Sequence, residues 1–506
     1  MKNNRIDLLY PCGTANGVFR RNLMKEFIKG ANPYMPLWEH VPDGEPRVFE
    51  YKGEKRVYVY GSHDIEKTEY CGRNQVVWSA PVKDLTNWKY HGVCYEASDK
   101  SILFAPDVVQ KGDTFYMYAA ENRGSRVMVA SSKNPAGPFT NPVKTDLGFD
   151  PGILVDDDGR VYAYWGFCKQ YCAELNDDMA TIKDGTFHEN VIKHCNASWA
   201  PDDGMYDEED SFFEASSPRK VNGKYVYIYS KRYSKACPEY GVPAGGCNGF
   251  LSYKYSDSPL DGYKMGGDIS FNGGELLPNA DGSKTMTYRW GNNHGSIMQI
   301  EGQWYVFYHR QTGIDEFSRQ AMLEPVDVAQ DKNGKIYIGK ITYKDGEPVS
   351  SEPVEMTSQG AHINGLDARK IISAGYACHI FGGAKGGPNG GQGGAYIKAV
   401  YEQSDEVSAP IVDISNALTV GFRYLQFGTL TPKSVCGKLT AKEDLKLNVR
   451  VDDYKGKIVA SCDIKKGASS FTIPVISGLI GKRAIYFEFL SDSKGLIADF
   501  DCFWFE

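Results

Sequence analysis

The stretch DSFFEASSPRKVNGKYVYIYS, Asp210 to Ser230, decides how the rest of the chain is read. It opens on an acidic residue in an aromatic setting, Phe212-Phe213-Glu214, and passes through small residues to Pro218 and Arg219. It then crosses Asn222-Gly223 and ends in alternating Tyr225, Tyr227 and Tyr229. Apolar alternation on both sides of an Asn-Gly pair predicts a β-hairpin, because both turn positions need φ > 0 and these two residues tolerate it best. Glu214 then falls near the start of the hairpin's first strand.

The same pattern recurs in EPRVFEYKGEKRVYVYGS (Glu45 to Ser62), APDVVQKGDTFYMYAA (from Ala105), DPGILVDDDGRVYAYWG (from Asp150) and HGSIMQIEGQWYVFYHR (His294 to Arg310). The second strands carry Tyr58, Tyr116, Tyr162, Tyr227 and Tyr305 as anchors. Repeated small antiparallel units predict a β-propeller, and five copies predict five blades. A propeller brings matching positions to a common axis, so the residues that open the copies should converge. These are Glu45, Ala105 with Asp107 two residues on, Asp150, Glu214 and His294. Carboxylates gathered at one site suit glycoside hydrolysis, which uses one protonated acid for the leaving oxygen and one ionised base for water.

Composition narrows the alternatives. A net charge of −7 over 506 residues with no basic stripe argues against nucleic acid as a partner. No run approaches the length of a membrane helix, so no membrane partner is expected. The first residues, MKNNRIDLLYPCGTANG, lack the apolar core of an export signal. The 12 cysteines are scattered rather than paired at zinc-knuckle spacing. The expectation is a reduced, cytoplasmic protein.

Within the first copy's outer part, Trp88 is expected to pack between blades. Phe104, just ahead of Ala105-Pro106-Asp107, is a candidate for sugar stacking, with core packing as its rival. The Gly/Pro-rich stretch Ala236 to Gly249 is expected to form part of a site rim. The blade pattern ends between about residues 350 and 365. Beyond it, DLKLNVRVDD alternates Leu445, Leu447, Val449 and Val451 with polar residues. Further strand-and-turn segments without helical period predict a β-sandwich. The glycine-rich loop from Gly382 to Tyr396 lacks Gly-Lys-Ser/Thr spacing, which argues against a phosphate loop. The expected architecture is all-β, with a five-bladed propeller over residues 1–355 and a jelly-roll-like sandwich over 356–506.

Residues 30–350 resemble glycoside hydrolase family 43, through Ala105-Pro106-Asp107-Val108, Asp150-Pro151, Phe213-Glu214-Ala215-Ser216-Ser217, Asn293-His294-Gly295-Ser296 and Tyr308-His309-Arg310. The resemblance implies an inverting, exo-acting enzyme that removes α-L-arabinofuranosyl or β-D-xylosyl units from arabinoxylan- or xylan-derived oligosaccharides. It implies Glu214 as general acid, Asp150 as the residue that tunes its pKa, and Arg310 as a sugar contact. It also implies that His294 lies where many members hold a structural calcium ion or its water shell at the propeller axis, with a hydrogen-bonded core histidine as the rival reading. The chain departs from the family at the base, where Glu45-Pro46 stands in place of Asp-Pro. Repeat register favours Glu45, and Asp43 is its rival because an extended segment would put both on one face. That departure also sustains a second reading, a carbohydrate-binding propeller without catalysis. The C-terminal part, through Gly481 to Phe487 and Asp499 to Phe505, resembles family 6 carbohydrate-binding modules, and a supporting role is expected for it.

Overall fold

A computed structural model of the chain describes residues 28–195, 204–207, 211–233, 246–313, 315–383, 394–404 and 408–506. Most of the Ala236 to Gly249 stretch and of the glycine-rich loop lies outside them. Each of the five sequence copies forms an antiparallel hairpin of one sheet, and in the fourth a short strand, His194–Cys195, adds parallel to it. In the fourth copy, Asn222 (φ 49°) and Gly223 (φ 78°) make the expected two-residue turn.

The innermost strands of blades I to V are Glu45–Tyr51, Asp107–Lys111, Gly152–Val155, Ser211–Val221 and Ser296–Ile300. All five anchor tyrosines lie in the strands that follow them. Because successive side chains point to opposite faces, one strand supplies two inter-blade cores. In blade I, Val57 and Val59 pack with Phe307 and Leu323 of blade V, where Trp88 also lies. Tyr58 and Tyr60 face the other way, onto Val108 and Met117 of blade II. The same division continues through Tyr118 and Ala163 between blades II and III, and Tyr162, Tyr164, Tyr225 and Tyr227 between III and IV. Among the described residues no strand is exchanged at the closure, and the strands of each blade follow one another in sequence. Residues before blade I clamp the closure: Asn32 donates to the Leu323 carbonyl and accepts from its amide.

At the axis the inner strands are joined by buried charge. Arg219 of blade IV pairs with Glu45 of blade I and donates to the Ile297 carbonyl of blade V at 2.9 Å. Arg47 pairs with Asp107 of blade II at 2.6 Å and donates to the Ile153 carbonyl of blade III at 2.9 Å. Ser217 bridges Glu45 and Ser296. All five blades thus contribute to one network.

The last blade strand ends at Glu352, and the first strand of the second unit is Leu366–Asp367. That unit is a β-sandwich. One sheet is built on Leu418–Gln426, Lys482–Leu490 and Leu445–Val451, the other on Ile411–Ser415, Leu496–Phe505 and Ser434–Ala441. Phe422, Phe487, Phe500 and Phe503 interleave between them. The core continues into blades IV and V without a break, so sandwich and propeller are packed together.

Removing one partner of a fully buried ion pair strands the other charge, which costs about 3–5 kcal/mol. Arg219→Met is therefore expected to lower stability by about that amount in denaturant unfolding. Lys133→Met, which breaks an exposed pair with Asp113, should leave the unfolding midpoint where it is.

Candidate active site

A hairpin's first strand begins where its second strand ends, so the mouth of the propeller collects residues from both places. Asp43 precedes the first strand of blade I, and Ser62 follows the second. Asp150 and His294 precede the first strands of blades III and V. Glu214 lies within the first strand of blade IV, where the ladder with the second strand slips between Phe212 and Glu214 and again between Glu214 and Ser217. Such bulges re-aim side chains. Ala215 takes φ 69° at this one, and Asp150 and Asp43 themselves have φ 49° and 58°. Left-handed backbone is uncommon outside glycine and often marks functional sites. Gly152 is required here, because a Cβ would stand 2.1 Å from the Ser216 carbonyl in the bulge.

These residues form one cluster. His294 Nδ1 lies 3.7 Å from Asp43 Oδ1 and 3.7 Å from Asp150 Oδ2. Arg319 donates to Asp43 Oδ1 at 3.2 Å. Its Nε and remaining amino group hold Asp64, both at 2.9 Å. The Ser62 hydroxyl donates to Asp43 Oδ2. The Asp43 backbone N–H donates to His309 Nδ1 at 3.2 Å, while His309 Nε2 donates to the Asn292 carbonyl at 2.7 Å. His309 therefore carries its proton on Nε2 and fixes the turn that aims Asp43.

The carboxylates differ sharply in their electrostatics. Burial works to raise the Asp43 pKa, but Arg319, the imidazoles of His294 and His309 and the Ser62 hydroxyl outweigh it and hold the group at about 2. Burial pushes both imidazoles below their usual range, His309 to about 3. At neutral pH the full charge acting on Asp43 is thus that of Arg319. Burial and the Asp43 charge push Glu214 up to about 8, against Arg319 and Arg232. Asp150 is driven well up by burial and by Glu214 and Asp43, with the Ala215 N–H opposing. One carboxylate is ionised, and beside it two compete to keep a proton.

Two expected assignments change. Glu45 is not in this cluster. Its carboxylate is held by Arg219, Arg47 and Ser217 in the axial network, and the left-handed turn at Asp43 breaks the extended geometry that would have aligned the two residues. Arg310 is fully buried on the opposite strand face from His309 and donates to the carbonyls of Gly375 and Ala377 at 2.5 and 2.6 Å. It joins blade V to the sandwich instead of meeting sugar. Phe104 is half-buried, packs against the core between blades II and III and stands edge-on to Phe149 at 5.7 Å, which fits the core-packing alternative.

His294 does not fit a protein-built calcium cage. Calcium takes six to eight oxygen ligands. The neighbours of His294 Nδ1 are two carboxylates already engaged by Arg319 and Ala215, and among the described residues no group of three or more His, Cys, Asp or Glu side chains is placed to hold a metal ion. Arg319, Asp64 and His309 received no role from the sequence. Arg319 lies outside the repeated copies, whereas Ser62 and His309 end second strands, a position that hairpin geometry sends to the mouth.

The glycosyl hydrolases family 43 model matches residues 45–333. A xylosidase/arabinosidase of Thermoclostridium stercorarium is 33% identical over 431 residues, covering 78% of this chain and 82% of that protein. An arabinoxylan arabinofuranohydrolase of Paenibacillus polymyxa is 26% identical over 93% of this chain and 74% of its own. Among solved structures, a family 43 arabinoxylan arabinofuranohydrolase from Bacillus subtilis, in complex with cellotetraose, aligns over 96% of this chain and 99% of that one, with 21% identity and a TM-score of 0.45.

Losing the cation leaves Asp43 buried without its counter-charge. Arg319→Gln should move the acid limb of the pH–activity profile up by ~1–3 pH units. Glu45→Gln should leave that limb in place and instead lower the unfolding midpoint.

Proposed function

Since this chain belongs to glycosyl hydrolases family 43 and is a glycoside hydrolase, we propose that it removes terminal α-L-arabinofuranosyl or β-D-xylosyl units from arabinoxylan- or xylan-derived oligosaccharides, with Asp43 as base and Glu214 as acid. The observation that carries this reading is the contrast between Asp43, held at about 2, and Glu214, raised to about 8, in one buried cluster. The names of the relatives from Thermoclostridium stercorarium and Paenibacillus polymyxa support the sugar class.

In the proposed reaction Asp43 accepts a proton from water as the water oxygen bonds to the anomeric carbon. The bond from that carbon to the leaving oxygen breaks, and Glu214 gives its proton to that oxygen. Attack opposite the leaving group inverts the anomeric centre. The cycle ends with Asp43 protonated and Glu214 ionised, and exchange with solvent restores both. Asp150 is assigned as a positioning residue beside Glu214; burial and the charges of Glu214 and Asp43 drive its own carboxyl well up. His294 and His309 orient the carboxylates as neutral groups. We read the sandwich as a support for blade V. The reading without catalysis rested on an irregular base motif, and Asp43 supplies an ionised carboxylate where that motif lacks one.

A raised acid pKa has a definite sign: the donating form is lost as pH rises through it. Turnover of substrates with poor leaving groups should fall above about pH 8. Glu214→Ala should lower that turnover by ~10²–10⁴-fold and erase the alkaline limb, while sparing activated aryl glycosides far more. Undiminished hydrolysis of oligosaccharides by this variant would overturn the assignment. Matched aryl arabinofuranosides and xylosides, compared on the wild type, identify the preferred sugar.

A further inference from the structure

Arg319 reaches the cluster from just before the third strand of blade V, Gln320–Gln330. It is held there by a loop of blade I, which joins that blade's second strand to its third, Asn74–Pro81. Asp64 in this loop is fully buried. The Arg319 backbone N–H and Nε both donate to Asp64 Oδ2, and the Nη2 amino group donates to Oδ1, all at 2.9 Å. Nη2 also donates to Cys71 Sγ at 3.3 Å. The Cys71 N–H donates to Asp64 Oδ1 at 2.9 Å, and its thiol donates to Asp43 Oδ2 at 3.8 Å. Nη1 is left for Asp43 Oδ1, at 3.2 Å. These bonds close a ring through Asp64, Arg319, Cys71 and Asp43.

The ring is built into the backbone. Cys71 takes φ 66°, and at Gly72 a Cβ would stand 2.6 Å from the His63 carbonyl, so the loop closes there only with glycine. The Tyr70 ring lies 5.1 Å from the guanidinium carbon. Burial drives the Cys71 pKa well up, so this group stays a thiol with a hydrogen to give. The other ionisable groups near Asp64 are neutral or engaged elsewhere. Burial pushes His40 down to about 4 and the Tyr401 phenol up to about 12. His63 bonds Glu39 and Asn74, and Glu316 accepts from the Tyr70 hydroxyl. Besides Arg319, the groups that act on Asp43 or feel its charge are Asp150, Glu214 and the two neutral imidazoles.

A guanidinium is a rigid planar fork, so pairing one edge with a carboxylate fixes where its remaining amino group points. Asp43 and Glu214 both feel this cation. The proposed reaction, on which this inference rests, needs the charge at the base. We infer that Asp64 and Cys71 are positioning residues that clamp Arg319, so that its Nη1 group serves Asp43 and not Glu214. The clamp thereby decides which carboxyl takes which role, through the direction of one arginine.

The acid limb of kcat/KM against pH, on an activated aryl glycoside, tests this, because the base stops working as pH falls through its pKa. Both Asp64 oxygens accept two N–H groups each, so Asp64→Asn turns an amide N–H toward donors whichever way it sits. The arginine should then swing off Asp43, and the limb should rise by ~1–3 pH units. Because the effect runs through the guanidinium, the double variant with Arg319→Gln should match Arg319→Gln alone. Loss of the Asp64 charge with the clamp intact would instead move the limb down. Cys71→Ala, which keeps every charge and serves if Asp64→Asn does not fold, should raise the limb by a smaller amount. An unmoved or lowered limb in either variant, or a further shift in the double variant, would overturn the inference and leave the functional reading intact. Failure of the wild type to hydrolyse both aryl arabinofuranosides and aryl xylosides would overturn the functional reading, and this inference with it.

Discussion

Charge buried at the propeller axis must be paired, and the pairing of Arg219 with Glu45 and of Arg47 with Asp107 satisfies that demand across three blades. The Ile153 carbonyl brings in blade III, and Ser296 and the Ile297 carbonyl bring in blade V. Among the described residues no strand is exchanged between first and last blades, so the contacts among inner strands carry much of the closure. The network also fixes where those strands begin. Because Glu45 is anchored at the axis, the turn just before it must carry Asp43 up to the mouth. The bulge at Glu214 and the close approach of Gly152 to Ser216 set the other side of the site by the same logic.

Above this floor the site has one dominant cation for four carboxylates. Arg319 is shared between Asp64 and Asp43, which leaves Glu214 and Asp150 in a low-dielectric setting where further negative charges are costly. That imbalance separates an ionised from a protonated carboxyl without any difference in residue chemistry. The backbone takes part as well: Asp43, Asp150 and Ala215 all adopt left-handed conformations, and His309 and the packed bulge hold them there.

The repeat was legible because alternation of aromatic and β-branched residues is dictated by burial on both faces of a blade. Tyr58 and Tyr60 on one face, with Val57 and Val59 on the other, show why the anchors recur. The same alternation made the sandwich readable from Leu445 to Val451. Register failed at Glu45 because it assigns position along a strand and cannot see that Asp43 turns out of it. Arg310 and His309 are neighbours in sequence, but strand period sends one to the sandwich and the other to the site. Arg319 gave no sequence signal, since its place depends on how the segment before blade V's third strand folds over the mouth.

The account turns on Asp43 as the group that activates water. Exogenous azide tests this most directly, because it can replace water as nucleophile without needing a base. With an activated aryl glycoside as substrate, azide should restore turnover to Asp43→Gly and yield a glycosyl azide of inverted anomeric configuration. No rescue at Asp43→Gly, or rescue of a Glu45→Gly variant instead, would contradict the account.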